Sequence, residues 1–420
     1  MKLKHFGLLT LASMAMIACN NENEGFIGEQ DNSPKKVVLK LEGISSGNSR
    51  STDGTTSSNT VSLKDVAIFL YADGGVIYNA LEIGSTDTEN WGKITGAGYT
   101  FTDVDPAVNR VMVIGNYDNL ETNNSFGTAD SFVNSTAASL MTKTINLQSQ
   151  NVSTKESDGI TTSTKAVMTL FGNTPSNIQD TNGDGIYEAA VSIKPIVSRL
   201  EVKSVSCKFV EPVGTGGIVK SATVTVKGIG LFDYYNTMTL DGKALRNLMD
   251  ANKIAEPNTG TSDGKTYEFL ASTGDWTWAY DITTTGYKNA LNDATTSGNP
   301  IEMTLDPSGA ATFAYNFFPV ASGTTIDGVV SQPTNQALAN IRLYVNVTNS
   351  TSGTNKDYVV TTAFRDATGN IVTPAPGKIY QLDYAFETDN IRDNWGDDKI
   401  KVNVTVTTVN WEIVPVTPSF

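Results

Sequence analysis

Histidine is all but missing from this 420-residue chain: the only one is His5. Cysteine is nearly as scarce, with Cys19 and Cys207 alone. His5 and Cys19 both fall in an N-terminal segment that reads as a leader, which leaves the rest of the chain with no histidine and a single thiol. Histidine-based triads, histidine general bases and most zinc or transition-metal sites are thereby excluded. With Cys19 used otherwise, no disulfide can form within the chain, and stability must come from packing. Cys207, in EVKSVSCKFV, reads as a small buried hydrophobe rather than a nucleophile. Basic charge is also short: 30 Lys and Arg face 44 Asp and Glu, a formal net charge of −14. No basic stripe exists to displace counterions from phosphates, so nucleic acid is excluded as a partner. What remains is carboxylate chemistry, oxygen-ligated metals or no catalysis. Nothing in the sequence pairs two carboxylates as a glycosidase requires, and no enzymatic activity is expected.

Long apolar runs are missing too. The opening MKLKHFGLLTLASMAMIAC has a basic start (Lys2, Lys4) and an apolar stretch from Phe6 to Ile17, too short to span a bilayer. A small residue, Ala18, precedes Cys19, the pattern of a secretory signal. The MIAC junction resembles a bacterial lipobox, in which Cys19 is diacylated and becomes the new N-terminus. Residues 1–19 are therefore expected to be a lipoprotein signal peptide. The polar, acidic NNENEGFIGEQDNSP that comes next reads as a tether. Its Glu22 and Glu24 resemble the acidic tag that sends some lipoproteins to the outer face of the outer membrane.

The 39% hydrophobic content suffices for real cores. Valine and threonine recur together between clusters of Gly, Pro, Asn, Asp and Ser, which favours strands and turns. Strands are predicted at 64–71, 109–117, 166–172, 187–193, 196–207, 220–232, 311–320, 340–348, 357–364, 378–386, 398–406 and 409–416. Only 128–143 and 241–253 look helical. The class expected is all-β, β-sandwich with minor helices. Pro195 lies between two strand-like runs, where a central strand would not tolerate it, and suggests a boundary between a sandwich at 51–194 and another at 195–420.

The two ends of the chain share a pattern. In KKVVLKLE, Val37, Leu39 and Leu41 fall on one face and Lys36, Lys40 and Glu42 on the other, with Val38 the exception. A polar stretch containing Arg50, followed by Ser51, comes next. Near the C-terminus, Ile400, Val402, Val404 and Val406 share a face. The parity breaks at Thr407 and Thr408, and Val409, Trp411 and Ile413 align in a new register, as two strands or one bulged strand would. Either end could fill the same slot in a sandwich. A sandwich lacking a strand exposes an apolar groove and unpaired backbone groups, and so takes up a strand.

The leader and lipobox, NSRSTDG, KDVAIFLY, PIVSRLEV and PGKIYQLDY with VNVTVTTVNWEIVP together resemble the fimbrillins, the FimA-like major subunits of lipoprotein-derived type V pili. The resemblance lies in the order and spacing of weak motifs over nearly the whole chain. It implies two transthyretin-like β-sandwich domains and a lipidated precursor held in outer-membrane lipid through Cys19. It further implies cleavage by an arginine-specific protease after Arg50, before Ser51, which would release a propeptide at 20–50. Exchange of a C-terminal donor strand would then join this chain to other copies and other fimbrial subunits in adhesive, biofilm-supporting surface fimbriae. The alternatives are a tip or accessory subunit that does not propagate the fibre, and a glycan-binding surface lipoprotein. Trp276 and Trp278, on one face of DWTWAY, could stack on sugars but read first as core.

No cofactor is expected, with one qualification. DTNGDGIYE places Asp180, Asn182 and Asp184 at alternate positions before Gly185, like the first half of a calcium loop. The bidentate glutamate such a loop needs is absent, because Val191 stands at position twelve, and an Asp/Asn/Gly turn explains the segment better.

Overall fold

Short runs of β-branched and aromatic residues punctuated by turn formers do build an all-β chain. The structure, a computed structural model, describes residues 33–45, 60–150, 168–208, 222–232, 235–248, 313–320, 324–326, 329–330, 340–349, 355–362, 373–387 and 402–415. Contacts divide the chain into Met1–Ser33 and Pro34–Phe420, and every strand and helix described belongs to the second unit.

The first elements are β1 (Lys35–Glu42), β2 (Thr60–Leu63), β3 (Asp65–Tyr71), β4 (Ile77–Gly84), α1 (Thr88–Ile94), β5 (Tyr99–Val104), β6 (Arg110–Gly115) and α2 (Tyr117–Asn124). Then come α3 (Ala137–Met141), β7 (Thr144–Asn146), β8 (Leu170–Asn173), β9 (Ile186–Ser192) and β10 (Lys194–Pro195). The later strands are β11 (Ser198–Lys208), β12 (Ala222–Phe232), β13 (Tyr235–Thr239), β14 (Ala244–Leu248), β15 (Phe313–Phe317), β16 (Thr325–Ile326) and β17 (Val329–Val330). The last are β18 (Asn340–Asn349), β19 (Asn355–Thr362), β20 (Lys378–Glu387), β21 (Val402–Asn410) and β22 (Glu412–Pro415).

Strand orders are β5-β1-β9, β10-β8-β6-β3-β4, β15-β11-β20-β21, β12-β18-β19, β17-β16-β14-β13-β7 and β2-β22. Pro195 sits in the edge strand β10, opposite Leu170, where its missing N–H costs no ladder bond. Strand β3 is buried along its whole length, so its sequence shows a β-branched and aromatic run without alternation. Asn116 stitches the start of this sheet together. It is fully buried in the left-handed conformation (φ 57°), and its Oδ1 accepts the Lys64 N–H at 2.9 Å. Its Nδ2 donates to Met168 O (2.8 Å) and Ser62 O (3.0 Å), which ties β2 to the core.

Several sequence expectations need correction. Residues 241–253 were expected to be helical, yet 244–248 form β14, paired with β13 and β16. The hairpin turn decides this: Thr239 Oγ1 donates to Asp241 Oδ1 and accepts the Ala244 N–H, and Gly242 takes φ +69°. Turn chemistry and cross-strand pairing override helix propensity here. At the C-terminus, β21 runs through Thr407 and Thr408 in unbroken register with β20, and the chain breaks instead at Trp411. The predicted helix over 128–143 is shorter than expected, a 3-10 turn at Ala129–Phe132 followed by α3. Helices α1 and α2 are additions that the sequence pattern does not announce.

Candidate functional site

The alternation in KKVVLKLE places β1 as a half-buried strand, and the structure puts that strand in the middle of a sheet. It pairs in parallel with β9, from Lys36 opposite Ile186 to Glu42 opposite Ser192. On its other side it pairs antiparallel with β5, with Val37 opposite Phe101 and Leu39 opposite Tyr99. Val37 and Leu39 are fully buried and Leu41 is 7% exposed, while Lys36, Lys40 and Glu42 face out. Burying three such aliphatic side chains contributes about 5–9 kcal/mol gross, before ordering costs. Lys35 closes one end of the strand. Its Nζ donates to Val108 O at 3.1 Å and lies 4.6 Å from the centre of the Tyr187 ring, and burial pulls its pKa below the ordinary lysine range.

The turn before β5 passes tightly over β1. Gly98 has φ +115°, and a Cβ there would come 3.2 Å from Leu39 O and 3.3 Å from Val38 Cγ1. At the other end, Gly43 (φ +79°) turns the chain out of β1 into Ile44 and Ser45.

Those two residues meet the C-terminal strand. Ile44 forms a parallel bridge to Ile413, and the Ser45 N–H donates to Ile413 O at 2.8 Å. On the opposite side β22 pairs in parallel with β2, Ile413 opposite Val61. Ile413 is 3% exposed. Just before it, the Trp411 ring lies 4.3 Å from the Arg199 guanidinium carbon. Arg199 is itself buried, and its Nε donates to Asn316 Oδ1 at 3.1 Å. A cation held over indole in so dry a place is a favourable contact. Upstream, Val404, Val406 and Val409 are half-buried on β21, opposite Tyr384, Leu382 and Ile379. Among the described residues β21 is the edge of its sheet, with β20 as its neighbour.

Val402 belongs to β21 by its backbone, opposite Phe386. Cys207 lies on β11, also opposite Phe386. Cys19, Arg50, Ser51, Trp276, Trp278 and Ile400 lie outside the described residues.

The loop before β9 is built by Asp180. One carboxylate oxygen accepts the N–H groups of Gly183 (2.7 Å) and Asp184 (3.1 Å), and the other accepts that of Gly185 (2.9 Å). These backbone bonds, that of Gly185 foremost, hold its carboxyl below the usual aspartate range. Asp184 Oδ1 accepts the Ile186 N–H at 2.9 Å. These carboxylate oxygens are the same ones that would face a cation in such a loop.

One acidic group has no signature in the sequence. Glu82, Asp118 and Glu121 bring carboxylate oxygens within 4.8 Å of one another. Nearby, Asp65 is 8% exposed and accepts the Asp118 N–H at 3.1 Å, and burial pushes its carboxyl up to about 6. The four residues come from β3, β4 and α2, and no local spacing could have shown them together.

The site thus defined is a strand near the start of an all-β chain, lodged inside a sheet, with the C-terminal strand docked against the residues just after it. Solved structures similar to this chain include a candidate cell-adhesion protein from Bacteroides eggerthii, 17% identical, TM-score 0.49, covering 92% of this chain and 98% of that one. A fimbrilin from Porphyromonas gingivalis is 11% identical, TM-score 0.44, with 91% and 99% covered. The tip fimbrial protein Mfa3 from the same organism, truncated at its C-terminus, is 13% identical, TM-score 0.36, with 85% and 97% covered. No protein-family model and no curated relative matches the chain.

Proposed function

We propose that this protein is a structural subunit of surface fimbriae that joins to other copies of itself, and to other fimbrial subunits, by strand exchange. The observation that carries the reading is the central position of β1, with Val37, Leu39 and Leu41 buried between β5 and β9. A cut after Arg50 by an arginine-specific protease would free this strand and leave β5 and β9 with unpaired edges beside an apolar slot. The C-terminal segment is the donor, with Val402, Val404, Val406, Val409, Trp411 and Ile413 as its apolar positions. Inserted into the slot of the next copy, it makes a head-to-tail contact that does not close, and a filament results. Each copy carries two sandwich domains, 51–194 and 195–420. Before cleavage the precursor is held in outer-membrane lipid through Cys19. The fibre serves adhesion and biofilm formation, and no catalytic residue is assigned. A tip or accessory subunit is the second reading. Among the described residues β21 has β20 as its one sheet neighbour, which favours the first.

The test is treatment of the precursor and its Arg50→Ala variant with an arginine-specific protease, followed by size-exclusion chromatography and negative-stain microscopy. Cut wild type should form fibres and Arg50→Ala should stay a folded monomer. Aspartate at Val404 or Val406 should give a cut subunit that does not propagate, because a lone charge in the slot is uncompensated. Fibres from any of the three variants would overturn strand exchange.

A further inference from the structure

We propose that Ile44–Ser45 and β2 form a clasp around the C-terminal strand, so that losing the N-terminal strand also loosens the tail that is to be donated; this rests on the strand-exchange reading above. The two sides of the clasp differ in how they are held. Strand β2 is fixed: Val61 and Leu63 are buried, and Ser62 O accepts from the buried Asn116 side chain. Ile44 and Ser45 continue directly from β1 through Gly43, and among the described residues that is the strand that carries them. They lie on the N-terminal side of Arg50, so they leave with β1 when the chain is cut there. Strand β22 then keeps its ladder with β2 and the Arg199–Trp411 contact, but loses the Ser45 N–H bond to Ile413 O and the Ile44 side of its lining. Ile413, 3% exposed while both sides are present, becomes open on one.

The clasp gives one cleavage two consequences. An uncut copy has a filled slot and a held tail, so it neither accepts nor donates. A cut copy has an empty slot and a tail secured on one side alone. Coupling of this kind prevents a precursor from donating its tail while its own slot is still full, which would cap a growing fibre.

Hydrogen exchange at the amides of residues 412–414 tests this directly. The full-length precursor is compared with the freshly cut protein at low salt and low concentration, where copies stay apart, and with the uncut Ser45→Pro variant. Proline removes the N–H that bonds Ile413 O and leaves β1 in place. Exchange at 412–414 should be about tenfold faster in the cut protein and roughly threefold faster in uncut Ser45→Pro, the range expected for one to a few lost backbone contacts. Amides of β3 and β6 should keep their protection in every sample and so report an intact fold. Exchange at 412–414 within twofold of the precursor in both samples would overturn the clasp. Faster exchange without fibres would sink the fimbrial reading and leave the clasp standing, and fibres with unchanged exchange would do the reverse.

Discussion

Gly98 is the residue on which the seating of β1 depends most sharply. Its φ of +115° suits glycine alone, and any Cβ would press on the Leu39 carbonyl and the Val38 side chain. Gly98→Ala should destabilise the precursor by about 1–3 kcal/mol, read as the shift of a urea midpoint. Once residues 1–50 are removed, the atoms it would strike are gone, and the loss should shrink to the backbone strain alone; an equal loss in both forms would show that Gly98 does not act through β1. Asp65 gives a second expectation, set by pH. Burial raises its folded-state pKa from 3.8 to about 6, so the folded protein holds this proton more tightly than the unfolded chain does. The contribution favours folding fully below pH 3.8 and is lost as pH rises through 6. Asparagine keeps an oxygen for the Asp118 N–H and carries no charge. Relative to wild type, Asp65→Asn should therefore gain about 1–3 kcal/mol between pH 4 and pH 7, in denaturation midpoints taken along that range. Asp180 supplies a third, because its oxygens already accept backbone N–H groups. Titration calorimetry with calcium should show no micromolar site, and micromolar affinity would mean that the loop opens to take the ion.

Strand β1 was legible from sequence because its two faces meet different surroundings: Val37, Leu39 and Leu41 face the core while Lys36 and Lys40 face water. Val38, which spoils the alternation, is half-buried because the Gly98 turn lies against it. Strand β14 looks helical in sequence because Leu245 and Leu248 sit three apart, a helical spacing, and the turn around Asp241 and Gly242 carries the contrary signal. What could not be read was partnership. Pairing of β1 with β9, or of β2 with β22, joins segments far apart in the chain, and no local pattern records it. On the strand-exchange proposal that partnership is what would make β1 replaceable as an element, since its ladder and the side chains of Val37, Leu39 and Leu41 carry most of its attachment between β5 and β9. A synthetic peptide of residues 34–45 added to freshly cut protein should refill the slot and block fibre growth seen by light scattering. The same peptide with Leu39→Asp should not block, and equal blocking by both would argue against a slot that reads the apolar face of β1.

For the whole molecule, charge would oppose the assembly proposed above. Residues 1–50 carry six basic and five acidic side chains, so their loss takes the net charge from −14 to −15. On the strand-exchange proposal, every copy that approaches a growing end would meet strong like-charge repulsion, and the drive to join would have to come from apolar side chains entering the slot. Repulsion between exposed charges is screened within about 10 Å at 0.1 M salt and within about 3 Å at 1 M, whereas apolar burial is not weakened by such screening. Fibre growth from cut protein should accelerate as sodium chloride rises from about 20 to 200 mM and then level off. Light scattering measures the rate, and microscopy confirms that fibres rather than amorphous aggregates account for it. The uncut Arg50→Ala chain, with its slot full and nearly the same charge, should stay monomeric across the same range. Growth that slows with salt would mean that attraction between opposite charges drives assembly, and the apolar slot would lose its place as the source of the fibre's cohesion.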